Sequence, residues 1–125
     1  MHVQENAPVE LVFEQLDGGI TLAKLSGRLD LAGARAIDLP FTARVATQGA
    51  RVVVDLSDVS FLASLGIRSL LAPAKAARAR GGAVVLLNPQ PRVMEVLTLA
   101  GLTGVLKVYT DLASAVAALS APAAG

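Results

Sequence analysis

The sequence has no cysteine and no tryptophan, one histidine, three phenylalanines and one tyrosine in 125 residues. Without cysteine there is no disulfide and no thiolate cluster, so zinc ribbons and thiol catalysis are excluded. The lack of cysteine also suits a reducing compartment. The single histidine is His2, in a polar N-terminal stretch, which leaves no general base to activate a serine. Neither a G-x-x-x-x-G-K phosphate loop nor a G-x-S-x-G elbow occurs. Excess charge is missing as well: 11 basic residues face 10 acidic ones, for a net charge of +1. Nucleic-acid binding draws on clustered cations, so it is not expected. The N-terminus "MHVQENAPVE" lacks the basic start and apolar run of a secretory signal, and no stretch is long and apolar enough to span a bilayer. The expectation is a cytoplasmic chain with no membrane insertion, no enzymatic activity, no metal and no cofactor.

What is present is aliphatic: 54% of the residues are hydrophobic but only 3% aromatic, so the core must be built from Ala, Leu and Val. Small aliphatic volumes of this kind pack closely. A chain of this mass buries about two-thirds of its unfolded surface in one domain, enough to fold without a staple. Residues 8–120 are expected to form that domain, with 1–7 and 121–125 as flexible tails.

"VELVFEQL" alternates as a strand, "DGG" turns the chain, and "ITLAKLSG" returns as the second half of a hairpin. Ile37, Phe41 and Val45 lie four apart and predict a helix between Gly33 and Gln48. Pro40 inside that span predicts a kink or a later start. "RVVVDL" reads as a central strand covered on both faces. Ile67, Leu70, Leu71, Ala74 and Ala77 then form a helical stripe that stops at Gly81-Gly82. "AVVLL" predicts a further buried strand, and "PRVMEVLTLAGL" a short helix with Val93, Val96, Leu97 and Ala100 on one side. "VLKVY" gives a last strand, and "DLASAVAAL" a closing helix capped by Asp111. A leading hairpin followed by alternating helices and strands implies an α/β fold with a mixed sheet and parallel crossovers.

"VVVDLSDVSFLASLGIRSLL" resembles the signature of the STAS domain, the fold shared by sulfate-transporter tails and anti-sigma factor antagonists. "GRLD" after the second strand, "GG" before the fourth, Asn88-Pro89 and "AGL" before the last strand follow the family's order, so the resemblance spans nearly the whole domain. It implies a STAS-like mixed sheet of about five strands with about four helices. In the family's regulatory branch the strand-to-helix loop reads Asp-Ser-Ser/Thr-Gly-Leu, and its first Ser is phosphorylated by a serine kinase that is also the anti-sigma factor. Here it reads Ala63-Ser64-Leu65-Gly66-Ile67. The resemblance therefore implies Ser64 as the phosphorylated residue, with the usual Asp replaced by Ala63 and the second hydroxyl by Leu65.

The implied reading is an anti-sigma factor antagonist that frees a sigma factor and is switched off at Ser64. The alternative is a STAS interaction module without a switch, either the accessory subunit of a lipid-trafficking ABC transporter or part of a stress-sensing scaffold. Self-association as a homodimer is left open. Arg68, one turn after Ser64, and Lys75, two turns further, fall on the same helical face and extend a docking edge. Asp30, in "GRLD", and Asp58 are placed in loops at the Ser64 end of the sheet, so Asp30 joins the candidate contacts with Ala63, Ser64, Leu65, Gly66, Arg68 and Lys75.

Each residue also has a plainer reading. Ser64 is a favoured helix N-cap, Gly66 permits close helix-to-sheet packing, and Asp30 is a turn former bonded to its own backbone. Leu65 is either core or an exposed contact. Asp55 is assigned to turn chemistry at the end of its strand, and Arg78 and Arg80 to a solvated helix end.

Overall fold

A computed structural model describes residues 9–46 and 50–120. The segments read as tails, 1–7 and 121–125, lie outside the described residues, as does the expected helix end at Gln48. Five strands and four helices run in the order β1 (Glu10–Leu16), β2 (Ile20–Leu29), α1 (Leu31–Val45), β3 (Arg51–Leu62), α2 (Ser64–Ala79), β4 (Ala83–Leu87), α3 (Pro91–Leu99), β5 (Val108–Tyr109) and α4 (Leu112–Ser120). The strands lie side by side in chain order. β1 pairs with β2 antiparallel through the Asp17–Gly19 turn, and every later pair is parallel.

The period-2 alternation of the strands divides the apolar residues between two faces. Ala23, Leu25, Val52, Val54, Val84 and Leu86 face α1, α2 and α3 through Ile37, Phe41, Leu70, Ala74, Val93 and Leu97. Ile20, Leu22, Val53, Val85 and Leu87 face the other way and are covered by Ala115 and Leu119 of α4. The three crossover helices thus share one face of a sheet whose strand order never reverses. A doubly wound nucleotide fold binds its ligand where that order reverses, and this sheet has no such point.

Four local expectations need correction. First, α1 begins at Leu31, before Gly33, and continues through Pro40 to Val45. Its start is set by Asp30, whose Oδ1 accepts the Gly33 N–H at 2.9 Å, a side-chain cap that supplies one of the helix's unbonded donors. Second, β3 runs on through "SDVSFL", so Asp58 lies in a strand, opposite Ser26, and Asp55 is mid-strand. The Asp55 carboxylate accepts the Ser57 N–H at 3.0 Å and its hydroxyl at 2.6 Å. That local bonding sits where the pairing gains a residue on β3 between Lys24↔Asp55 and Ser26↔Asp58, a bulge that re-aims the distal half of the strand. Third, β5 is two residues long, where five were expected. Fourth, Ala100 is exposed at the end of α3, outside the buried stripe.

The helix ends follow their chemistry. At the end of α2, Gly81 takes φ +89° and donates to Arg78, while Gly82 donates to Ala77, which satisfies the last carbonyls in a Schellman arrangement. Asp111 caps α4 by accepting the Ser114 N–H at 2.8 Å, as expected.

Candidate functional site

Leu29 and Leu62 are paired in the parallel β2/β3 ladder, so the residues that follow them leave the same end of the sheet side by side. Asp30 follows one strand and opens α1. Ala63 and Ser64 follow the other and open α2. The turn into α2 is pinned by the Ala63 N–H, which donates to the Leu29 carbonyl at 2.9 Å.

Gly66 explains how close α2 lies to the sheet. A Cβ at this position would stand 2.8 Å from the Leu29 carbonyl oxygen, 2.9 Å from the Leu29 Cβ and 3.0 Å from Leu62 Cδ1. The packing reading of this glycine is therefore the structural one. Gly33 does the same for α1, since a Cβ there would collide with the Arg28 carbonyl.

Ser64 itself is not the N-cap. Ala63 holds the extended cap conformation and offers no side-chain bond, and Ser64 is the first helical residue. Its side chain is exposed, and among the described residues its hydroxyl makes no hydrogen bond. The capping reading fails because the chain enters the helix one residue earlier than the Ser would require. The hydroxyl stands free at a helix N-terminus, where unpaired N–H groups and the macrodipole favour negative charge.

Between α1 and α2 lies a groove of about 220 Å³, lined by Leu31, Arg35 and Asp38 on one side and by Leu65, Arg68 and Ser69 on the other. Leu65 is 39% exposed and Leu31 47%, so the choice left open for Leu65 resolves to a partly exposed rim residue. Ser69 turns inward and donates to the Leu65 carbonyl at 3.0 Å. Arg68 borders the groove. Lys75 is exposed but lies eleven residues along α2 from Ser64, roughly 16 Å at the helical rise, and does not line the groove.

Asp30 serves α1 first. The Gly33 N–H holds its carboxyl below the ordinary carboxylate value, and the Arg28 guanidinium, 3.4 Å away, adds to this against partial desolvation. Arg28 also lies over the Phe61 ring at 4.2 Å. Phe61 is itself 39% exposed and lines a second groove, with Arg92 and Val96 of α3, on the other flank of the β3 end. The sequence reading singled out neither Arg28, Leu31 nor Phe61. The signal available was weak: Phe61 sits in a stretch whose Ser and Asp residues read as a turn.

This arrangement, a leading hairpin, parallel crossovers on one face and an exposed strand-to-helix junction, defines a STAS-type α/β domain. The chain belongs to the STAS domain family, whose model matches residues 14–115. It is 31% identical over 110 residues to BtrV of Bordetella bronchiseptica, whose name proposes it as an anti-sigma factor antagonist; the match spans 88% of this chain and 94% of BtrV. Among solved structures, an anti-sigma factor antagonist from Mycobacterium paratuberculosis superimposes with a TM-score of 0.82 at 25% identity, over 97% of this chain and all of that one. The phosphorylated form of SpoIIAA, a Bacillus cell fate determinant, shares the fold at a TM-score of 0.66 and 22% identity, over 87% of this chain and 99% of that one. No helix among the described residues is long and apolar enough to cross a membrane.

Proposed function

We propose that this chain is a cytoplasmic anti-sigma factor antagonist that docks on its anti-sigma factor through the Ser64 end of the sheet and is released when that partner, acting as a serine kinase, phosphorylates Ser64. The observation that carries the reading is the Ser64 hydroxyl: exposed, without a hydrogen bond among the described residues, and next to a groove with an apolar rim. A phosphoryl group there adds about −1.5 to −2 charges beside a groove whose rim is Leu31 and Leu65, with Arg35, Arg68 and Asp38 as its charged residues. Burying that dianion under a partner costs far more than burying a hydroxyl, so docking and modification exclude each other. The relatedness to BtrV supports the partner class, and a phosphorylated form of SpoIIAA, which shares the fold, is consistent with a phosphate switch. Asp30 contributes by holding the start of α1, and Ala63 and Gly66 by fixing the junction.

The test is intact-mass analysis after incubation with the cognate kinase and ATP, paired with binding measurements on two variants. Ser64→Ala keeps the partner's affinity, whereas Ser64→Asp lowers it by at least roughly tenfold, corresponding to about 1.4 kcal/mol. Unchanged mass together with equal affinity of the two variants overturns the switch. The exposed apolar rim formed by Leu31 and Leu65 favours a second reading in that event: constitutive docking by an unswitched STAS module, such as a transporter accessory subunit or a scaffold.

A further inference from the structure

At the opposite end of the sheet, where β2 and β3 begin, an open cleft of about 500 Å³ lies between the hairpin turn, the last turn of α1 and the first residue of β3. Its lining includes Gln15, Gly18, Gly19 and Thr21 from the hairpin, Arg44 from α1 and Arg51 from β3. Among the described residues Arg44 and Arg51 line this cleft and no Asp or Glu does; Arg51, the first residue of β3, reaches it at the end of the sheet. Neither arginine forms an ion pair among those residues. Arg44 is held 4.7 Å above the Phe13 ring, which limits the positions its guanidinium samples.

The remaining wall adds donors and open backbone. Thr21 is 5% exposed, and its Oγ1 accepts from Gln15 Nε2 at 3.1 Å, which leaves the hydroxyl hydrogen for another acceptor. A Cβ built on Gly18 or Gly19 would meet nothing within 4 Å, so a ligand can approach the peptide groups of the turn directly. Two forked cations, a hydroxyl and bare peptide groups form a site rich in donors and poor in acceptors. We propose that this cleft binds a small phosphate-bearing anion. Guanidinium forks match phosphate oxygens in geometry as well as charge, and the cleft has the size of a small-molecule site. Complementing the dipole at the C-terminal end of α1 explains Arg44 alone, and leaves the placement of Arg51 on the same cleft without a role. The proposal is independent of Ser64, which lies across the length of β3.

The experiment is a titration of the ¹⁵N-labelled full chain with inorganic pyrophosphate at constant ionic strength, with acetate as the matched control anion. Saturable shifts centred on the Gly18, Gly19, Thr21 and Arg51 amides are expected with pyrophosphate and not with acetate. The apparent affinity falls roughly tenfold or more in Arg51→Ala and in Arg44→Gln. The charge-matched pair Arg78→Ala and Arg80→Ala, at the end of α2, leaves it unchanged. Arg51→Ala removes no ring contact, so it keeps the test open if Arg44→Gln loosens the fold. Shifts that fail to saturate, that map elsewhere, or that are equal in Arg51→Ala and the control pair overturn the proposal.

Discussion

The residues at the Ser64 junction divide between those that present chemistry and those that hold the backbone still. Gly66 belongs to the second group. Ala at this position gains about 1 kcal/mol in helix propensity but presses a methyl group into the Leu29 carbonyl, which does not yield. Overpacking of this kind costs about 1–3 kcal/mol, so Gly66→Ala is expected to destabilise by up to about 2 kcal/mol net and to lower the midpoint of thermal unfolding by up to several degrees. Calorimetry checks this. Asp30 gives the junction its pH dependence. Its carboxyl is depressed below 3.8, chiefly by the Gly33 N–H, so its stabilising contribution is complete above that value and is lost as pH falls through the lower folded value. The stability difference between wild type and Asp30→Ala is therefore constant from neutral pH down to about pH 5 and shrinks towards pH 3. Denaturant titrations at a series of pH values measure that difference. Asp30→Asn, which keeps a capping oxygen without the charge, retains more of the stability at neutral pH than Asp30→Ala does.

At the level of elements, the strongest periodicities in the sequence located their elements correctly. The Ile37–Phe41–Val45 spacing, the valine run of β3 and the Leu70–Ala74–Ala77 stripe each reappear as buried faces. The misses share a cause, which is that local turn chemistry occurs inside regular structure. "SDVS" reads as a loop because Asp and Ser bond nearby backbone, and here Asp55 does so without ending the strand. The helix is expected only from Gly33 because its apolar spacing begins at Ile37, whereas the start is set by the Asp30 cap and the bare Gly33 serves the close approach to Arg28. The α1/α2 groove was not legible at all, since Leu31 and Leu65 meet only through the β2/β3 pairing. Pro40 remains the odd residue of α1: exposed, without an N–H and four residues after Ala36. Pro40→Ala supplies an N–H for the Ala36 carbonyl and is expected to stabilise the protein by about 1–3 kcal/mol in urea unfolding.

Over the whole molecule, two apolar clusters lie on opposite faces of the sheet, with Val52 and Val54 on one side of β3 and Val53 on the other. Leu97→Ala opens the α3 side and Leu119→Ala the α4 side; each is expected to cost about 2–4 kcal/mol. Because β3 belongs to both cores, far-ultraviolet dichroism and the emission of Tyr109, the only tyrosine, which packs on the α4 side, should report one shared transition in every variant. The two losses are expected to add within about 0.5 kcal/mol in the double variant, because the substituted side chains sit on opposite faces of the sheet. The tight seating of α1 and α2 on β2, at Gly33 and Gly66, has one more consequence. With carbonyl oxygens directly behind both helix starts, neither start has room to retreat, so a charge added at the exposed face is met by an unyielding support. Under the proposed switch, the modified and unmodified forms would differ in the electrical potential of a fixed relief, and a partner would tell them apart without the domain changing shape.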